Sequence, residues 1–216
     1  MVINQTKTKV MTFNMTRNLN FPPEVRFPGS EHLEVVEKSK VLGIILTNDL
    51  KWSENTDYLV TKAMKCIWTI RRLKNLKLDR EIILDVYNKE MRVILEFGVP
   101  IWNGSITLAD SDKLESVQKK VFKLILQKEY VNYEQACDLL KVKNLKQRRE
   151  QLCHKFARKE MKKENSMFEK CQPNRINRHT HKKIVKEFSC NTERFYNSSL
   201  PYLAKMINAK HANKYV

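Results

Sequence analysis

No apolar run in this chain approaches the roughly 18 residues that a membrane-spanning helix needs. An apolar leader is missing too, because Lys7 and Lys9 interrupt the N-terminal stretch early. The expectation is a soluble, intracellular protein, nuclear or cytoplasmic, with no membrane partner. The five cysteines (Cys66, Cys137, Cys153, Cys171, Cys190) are odd in number and widely spread, with no C-x-x-C pair. That excludes a disulfide framework and an ordinary metal knuckle. Acidic residues are in short supply, 24 against 41 lysines and arginines, and no two aspartates are adjacent anywhere. Two-metal nucleotidyl transfer needs carboxylates gathered about two ions some 3.5–4 Å apart. The nearest candidates, Asp110 and Asp112, precede an apolar helical period. Together with Ser111 they read as helix N-cap chemistry, satisfying orphan N–H groups and the helix dipole. We therefore assign no catalytic residue and no metal ligand.

What is present is a chain of 216 residues, 42% hydrophobic and 30% charged, with a formal charge of +17. The length allows one or two domains with an ordinary core. Such a positive excess attracts polyanions, with nucleic acid the first partner to consider. Strand signals crowd into the first fifty residues: Val10–Phe13, Val25–Phe27 and Leu33–Val36, bounded by Pro22-Pro23 and Pro28-Gly29, as hairpin strands with turns between them. Val41 to Leu46 is a longer apolar run containing Gly43, a residue that inside a strand marks a bulge or a close approach.

From Ser53 the period becomes helical. Leu59, Ala63, Ile67, Ile70 and Leu73 share one face of a helix reaching about Lys74. Asp79 caps a second helix with the stripe Ile82, Ile83, Val86, Tyr87, Ile94 and Leu95, stopped at Gly98-Val99-Pro100. This pair is the expected hydrophobic heart. A third helix carries Leu114, Val117, Val121, Leu124 and Ile125. Capping boxes at Asn132/Gln135 and Asn144/Gln147 open a fourth and a fifth, the last running through Leu152 and Phe156. Residues 162–194 read as a loose basic linker before a final amphipathic piece, Leu200 to Ile207. The expected architecture is α+β, in three regions. A small β-hairpin region covers 1–52 and a helical bundle 53–161. A basic, loosely ordered region with a short terminal helix covers 162–216.

The order of several short motifs resembles the C-terminal part of non-LTR (jockey-like, LINE-type) retrotransposon reverse transcriptases. Ile3-Asn4 with Lys7-Thr8-Lys9 is similar to that family's I-N-x-x-K-T-K. Lys40-x-Leu42-Gly43 looks like its primer-grip hairpin. Leu95-Glu96-Phe97-Gly98-x-Pro100-x-Trp102, Leu114-Glu115-x-x-Gln118 and Leu145-x-x-Arg148-Arg149 resemble segments of and after the thumb, with Asn144 in place of the usual serine. Arg194 to Tyr202 and Asn208 resemble the closing R-x-x-N-S-x-x-P segment. The resemblance implies that residues 1–52 are the end of a palm with the primer grip, and that 53–161 are thumb-like. It further implies a chain that begins downstream of the catalytic aspartates. Lys7 or Lys9 would match the lysine that protonates pyrophosphate, a general acid with no reaction to assist here. Lys40, Leu42 and Gly43 would be primer-grip residues. Arg71, Arg72, Lys74, Lys77, Arg148 and Arg149 would contact an RNA or DNA template–primer duplex. No cofactor belongs to this chain, Mg²⁺ being expected only for a full-length polymerase. Oligomeric state is open.

Rival readings rest on other residues. Basic and aromatic side chains alternate in Lys155-Phe156-Ala157-Arg158-Lys159 and Arg194-Phe195-Tyr196. That suits a stand-alone, transposon-derived nucleic-acid-binding module. A helical interaction protein, its charge serving only solubility, would show no salt-dependent binding. Cys171, His179, His181 and Cys190 are zinc-ligand types, but their spacing fits no common finger.

Overall fold

The computed structural model describes residues 8–13, 33–164, 166–168, 185 and 188–212. The expected strand at 25–27 and most of the 162–194 segment lie outside them. Two small sheets precede a mostly helical body. β1 (Lys9–Val10) and β2 (Glu34–Val35) pair in parallel, so they are not the two arms of a hairpin as the turn signals suggested. β3 (Lys38–Val41) and β4 (Ile44–Thr47) do form a hairpin, in register Lys38↔Thr47 through Val41↔Ile44. Its two-residue turn is Leu42-Gly43, both at positive φ (48° and 91°). The Val41–Leu46 run is therefore two strands with glycine at the bend, where two residues at positive φ give a turn whose twist matches the right-handed twist of the strands.

The expected first helix is two: α1 (Ser53–Lys65) and α2 (Ile67–Asn75), interrupted at Cys66. Cys66 keeps helical dihedrals, so the outer face continues across the break. The next segment winds as α3 (Arg80–Val86), a π-helical turn (Tyr87–Met91) and α4 (Arg92–Leu95). Ile83, Tyr87, Met91 and Leu95 are the inward residues, while Ile82 is exposed. At 3.6 residues per turn, each four-residue step overshoots by about 40°. The wider π turn takes up that drift and keeps all four side chains in the core.

Gly98 adopts the left-handed conformation (φ 66°) and opens α5 (Val99–Trp102). A methyl group there would also sit 2.6 Å from Ile44 Cδ1. Gly98→Ala is accordingly expected to destabilise by at least about 1–2 kcal/mol, the left-handed penalty for an L residue. Chemical denaturation with an unchanged midpoint would refute it.

The remaining helices are α6 (Leu108–Leu126), α7 (Tyr133–Leu139), α8 (Leu145–Glu160), α9 (Glu193–Tyr196) and α10 (Ser199–Ala212). Asn132 and Asn144 cap α7 and α8 by accepting from the N–H of Gln135 and Gln147, each at 2.8 Å, as their spacing predicted. One hydrophobic cluster runs from Ile44 and Trp52 through α1–α8 to Leu203, Ala204 and Ile207 of α10. The hairpin, the helical bundle and the terminal helix thus share a core. Among the described residues no helix is long and apolar enough to cross a membrane.

Candidate nucleic-acid interface

Asp110 is a junction between helices. Thr107, not Asp110 or Ser111, is the N-cap of α6: its Oγ1 accepts from Asp110 N at 3.1 Å. The Asp110 carboxylate accepts from the hydroxyls of Thr107 and Ser53, both at 2.8 Å, tying the start of α6 to that of α1. Lys113 Nζ lies 3.6 Å away. Thr107 with an acid three residues later is the capping-box spacing.

Three of the motif residues in the helical half, Glu115, Gln118 and Trp102, belong to the buried polar network of the bundle. Glu115 accepts from the backbone N–H groups of Leu145 (3.2 Å) and Lys146 (2.6 Å) at the start of α8, and from the Tyr133 hydroxyl. Gln118 accepts from the Tyr87 hydroxyl and donates to Lys143 O at 3.0 Å. Trp102 Nε1 donates to Phe97 O at 2.9 Å. Burial pushes the Tyr87 and Tyr133 hydroxyls well above the usual tyrosine range, so both are donors.

This interior corrects one proposed contact. The Arg149 side chain is only 2% exposed. It donates to Asn103 Oδ1 (2.9 Å) and Ser111 Oγ (2.6 Å), with Glu115 3.9 Å away. A guanidinium so enclosed cannot reach a phosphate. Its neighbour Arg148 is partly exposed and pairs at 2.9 Å with Glu96, a carboxylate it shares with Arg92 at 3.6 Å. The sequence also misplaced the inner face of α8, which is Leu145, Arg149, Cys153, Ala157 and Glu160. Leu152 lies at its margin and Phe156 is exposed. Burial raises the thiols of Cys66 and Cys137, and that of Cys153 to about 12, so none is a ready nucleophile.

The hairpin residues lie on the surface against α1. Lys40 Nζ donates to the Tyr58 hydroxyl at 2.7 Å and stands 4.6 Å from the ring centroid. Asn55, fully buried, accepts from Ile45 N at 3.1 Å and so pins β4 to α1. Asp49 accepts from Lys51 Nζ (2.9 Å) and Thr47 Oγ1 (2.7 Å), bonds that hold its carboxyl well below the usual range and brace the chain after β4. Leu42 projects from the tip, 92% exposed, and Gly43 lies against Phe97. Lys9 pairs with Glu34 at 3.0 Å on the surface. Lys7 falls outside the described residues.

Charge along α1 and α2 is divided. The acids of the first half are met by lysines from elsewhere, Glu54 by Lys38 (3.3 Å) and Asp57 by Lys113 (2.7 Å). Beyond them come Lys62, Lys65, Arg71, Arg72, Lys74 and Lys77, none of which forms an ion pair among the described residues. Only Lys74 of these six is partly covered. Tyr58, Lys62, Lys65, Trp68 and Arg72 follow one another at steps of three and four, a single helix face. The bond from Lys40, and then the charges of Lys40, Lys62 and Lys65, lower the Tyr58 pKa, so the hairpin and this face form one positive surface. Arg72 stacks over the Trp68 ring with 5.2 Å from guanidinium carbon to centroid. The sequence reading found the cations at the end of α2 and missed Lys62, Lys65 and Trp68. Their spacing was the available signal, since it marks the face opposite Ile67 and Ile70.

The basic–aromatic segment of α8 is also on the surface: Lys155, Phe156, Arg158 and Lys159 are exposed. Among the described residues no His, Cys, Asp and Glu side chains gather into a metal-binding group. Cys171, His179 and His181 are not among those residues. Comparison with protein-family models, with curated proteins and with solved structures returns no match to this chain.

Proposed function

We propose that this chain is the primer-grip and thumb part of a non-LTR retrotransposon reverse transcriptase, and that it binds template–primer nucleic acid without carrying polymerisation chemistry. The observation that carries the binding half is the uncompensated positive face of α1 and α2, from Lys62 to Lys77, joined to the Lys38–Thr47 hairpin through Lys40 and Tyr58. A surface whose acids are matched one by one at one end, and whose cations at the other form no ion pair among the described residues, is suited to a polyanion. Contacts of this kind go to phosphates, so they position a strand and carry no sequence information. The reverse-transcriptase half rests on the ordered motifs. Their buried members, Glu115, Gln118 and Trp102, form polar bonds that hold the bundle's own elements together.

The test is a salt titration. A fluorescent RNA–DNA primer–template duplex should bind at low salt, with log affinity falling steeply and linearly in log salt. Affinity should hardly change when the duplex sequence is scrambled. Absence of binding at low salt would overturn the reading. The same protein, given Mg²⁺, dNTPs and that primer–template, should extend nothing, because the sequence supplies no adjacent carboxylates for the two ions. Template-dependent incorporation above a mock preparation would overturn that expectation.

A further inference from the structure

Three tryptophans report very different environments. Trp52 and Trp102 are buried, 8% and 0% exposed, whereas Trp68 is 62% exposed on α2. Nothing in the core requires it: Ile67 and Ile70 on either side of it fill the interior. The largest of side chains is thus presented to solvent in the middle of the positive face. Arg72 lies over the ring and limits its freedom, and so much exposure leaves ring surface for a second planar partner. Lys65 is three residues before Trp68 and Lys62 three earlier, about 4.5 Å of helix rise each, and Arg72 follows four residues after Trp68, about 6 Å on.

We propose that Trp68 is a stacking platform for an unpaired base, so that the α1–α2 face takes single-stranded nucleic acid in preference to paired duplex. This rests on the nucleic-acid reading above and names the form of the ligand. Every base has a π-face, so stacking is tolerant of sequence and of the sugar. In a duplex those faces are already occupied by neighbouring bases, and only phosphates remain to be read. Lys62, Lys65 and Arg72 neutralise the backbone on either side of the stacked base, while an arginine plane beside an indole extends the stacking surface.

The experiment uses the whole chain with (dT)12, U12 and a 12-base-pair duplex. The tryptophan emission of the unmutated protein should be quenched by both single strands, and Trp68→Phe should abolish most of that quenching. Trp68→Ala should weaken single-strand binding by roughly 5- to 150-fold, the span of one base–aromatic stack. Duplex affinity should change less than twofold, and Trp68→Phe should retain much of the single-strand affinity. Because Trp68 is on the surface, the melting temperature of both variants should match the parent. Salt-dependent binding with no quenching, or an equal loss on all three ligands, would overturn the stacking proposal and leave the phosphate-binding reading standing. No binding of any of the three at low salt would overturn both.

Discussion

Glu115→Ala is expected to cost about 3–5 kcal/mol of folding stability, the scale of breaking a buried ion pair by removing one partner. Four groups converge on this carboxylate: Leu145 N, Lys146 N, the Tyr133 hydroxyl and the Arg149 guanidinium. Arg149 Nη1 has no hydrogen-bond partner, so its charge depends on Glu115 for compensation. Alanine would leave a buried cation with nothing opposite it, and would strip the start of α8 of two acceptor contacts. Domains are stable by only about 5–15 kcal/mol, so this single change removes a large share. Glu115→Gln keeps the shape and an acceptor and should fall between. Adding Arg149→Met to Glu115→Ala should recover part of the loss, because the unpaired charge goes with it. Urea unfolding of the parent, Glu115→Ala, Arg149→Met and the double variant closes the cycle. A change below 1 kcal/mol for Glu115→Ala, or strict additivity in the double variant, would show that the pair is not coupled.

The second large effect is on binding. Replacing Arg71, Arg72, Lys74 and Lys77 together by glutamine should flatten the salt dependence of binding to a B-form DNA duplex by up to about 3.6 units, since each lost phosphate contact removes at most about 0.9. Affinity at low salt should fall in step, equally for unrelated sequences. These cations are also well placed to oppose the negative end of the α2 dipole, Arg72 and Lys74 being in its last turn. If that is their whole role, the fourfold variant will melt earlier and keep the parent's slope. Arg148→Gln serves as the counterpart. Its guanidinium is held by Glu96, which Arg92 shares at 3.6 Å, so the slope should move by less than the roughly 0.9 of a single free phosphate contact.

Much of the fold follows from local chemistry that a sequence displays. Asn132 and Asn144 cap helices because a short side-chain acceptor two or three residues before an orphan N–H needs no distant partner. Gly98 ends a helical run because a left-handed residue is cheap only for glycine. The 3.6-residue period located the inward residues Leu59, Ala63, Ile67, Ile70, Leu114, Val117 and Val121, since burial of one stripe is what makes such helices pack. The excess of positive charge, and its concentration at 71–77, could also be read directly.

Tertiary structure decided the rest, wherever a residue's role depends on a partner from another element. An arginine in an amphipathic helix reads as an outward residue. Arg149 points inward because Asn103, Ser111 and Glu115, on other segments, supply its acceptors and counter-charge, and its inclusion shifts the whole inner face of α8. The stripe from Ile82 to Leu95 reads as one ordinary helix, but burying Ile83, Tyr87, Met91 and Leu95 together takes the π turn. Gly43 read as a strand glycine, but pairing of Val41 with Ile44 makes it a bend. Trp68 could have been counted as core or surface on hydrophobicity alone. The helix phase fixed by Ile67 and Ile70 turned it to solvent, among cations whose acidic counterparts had already been taken up elsewhere.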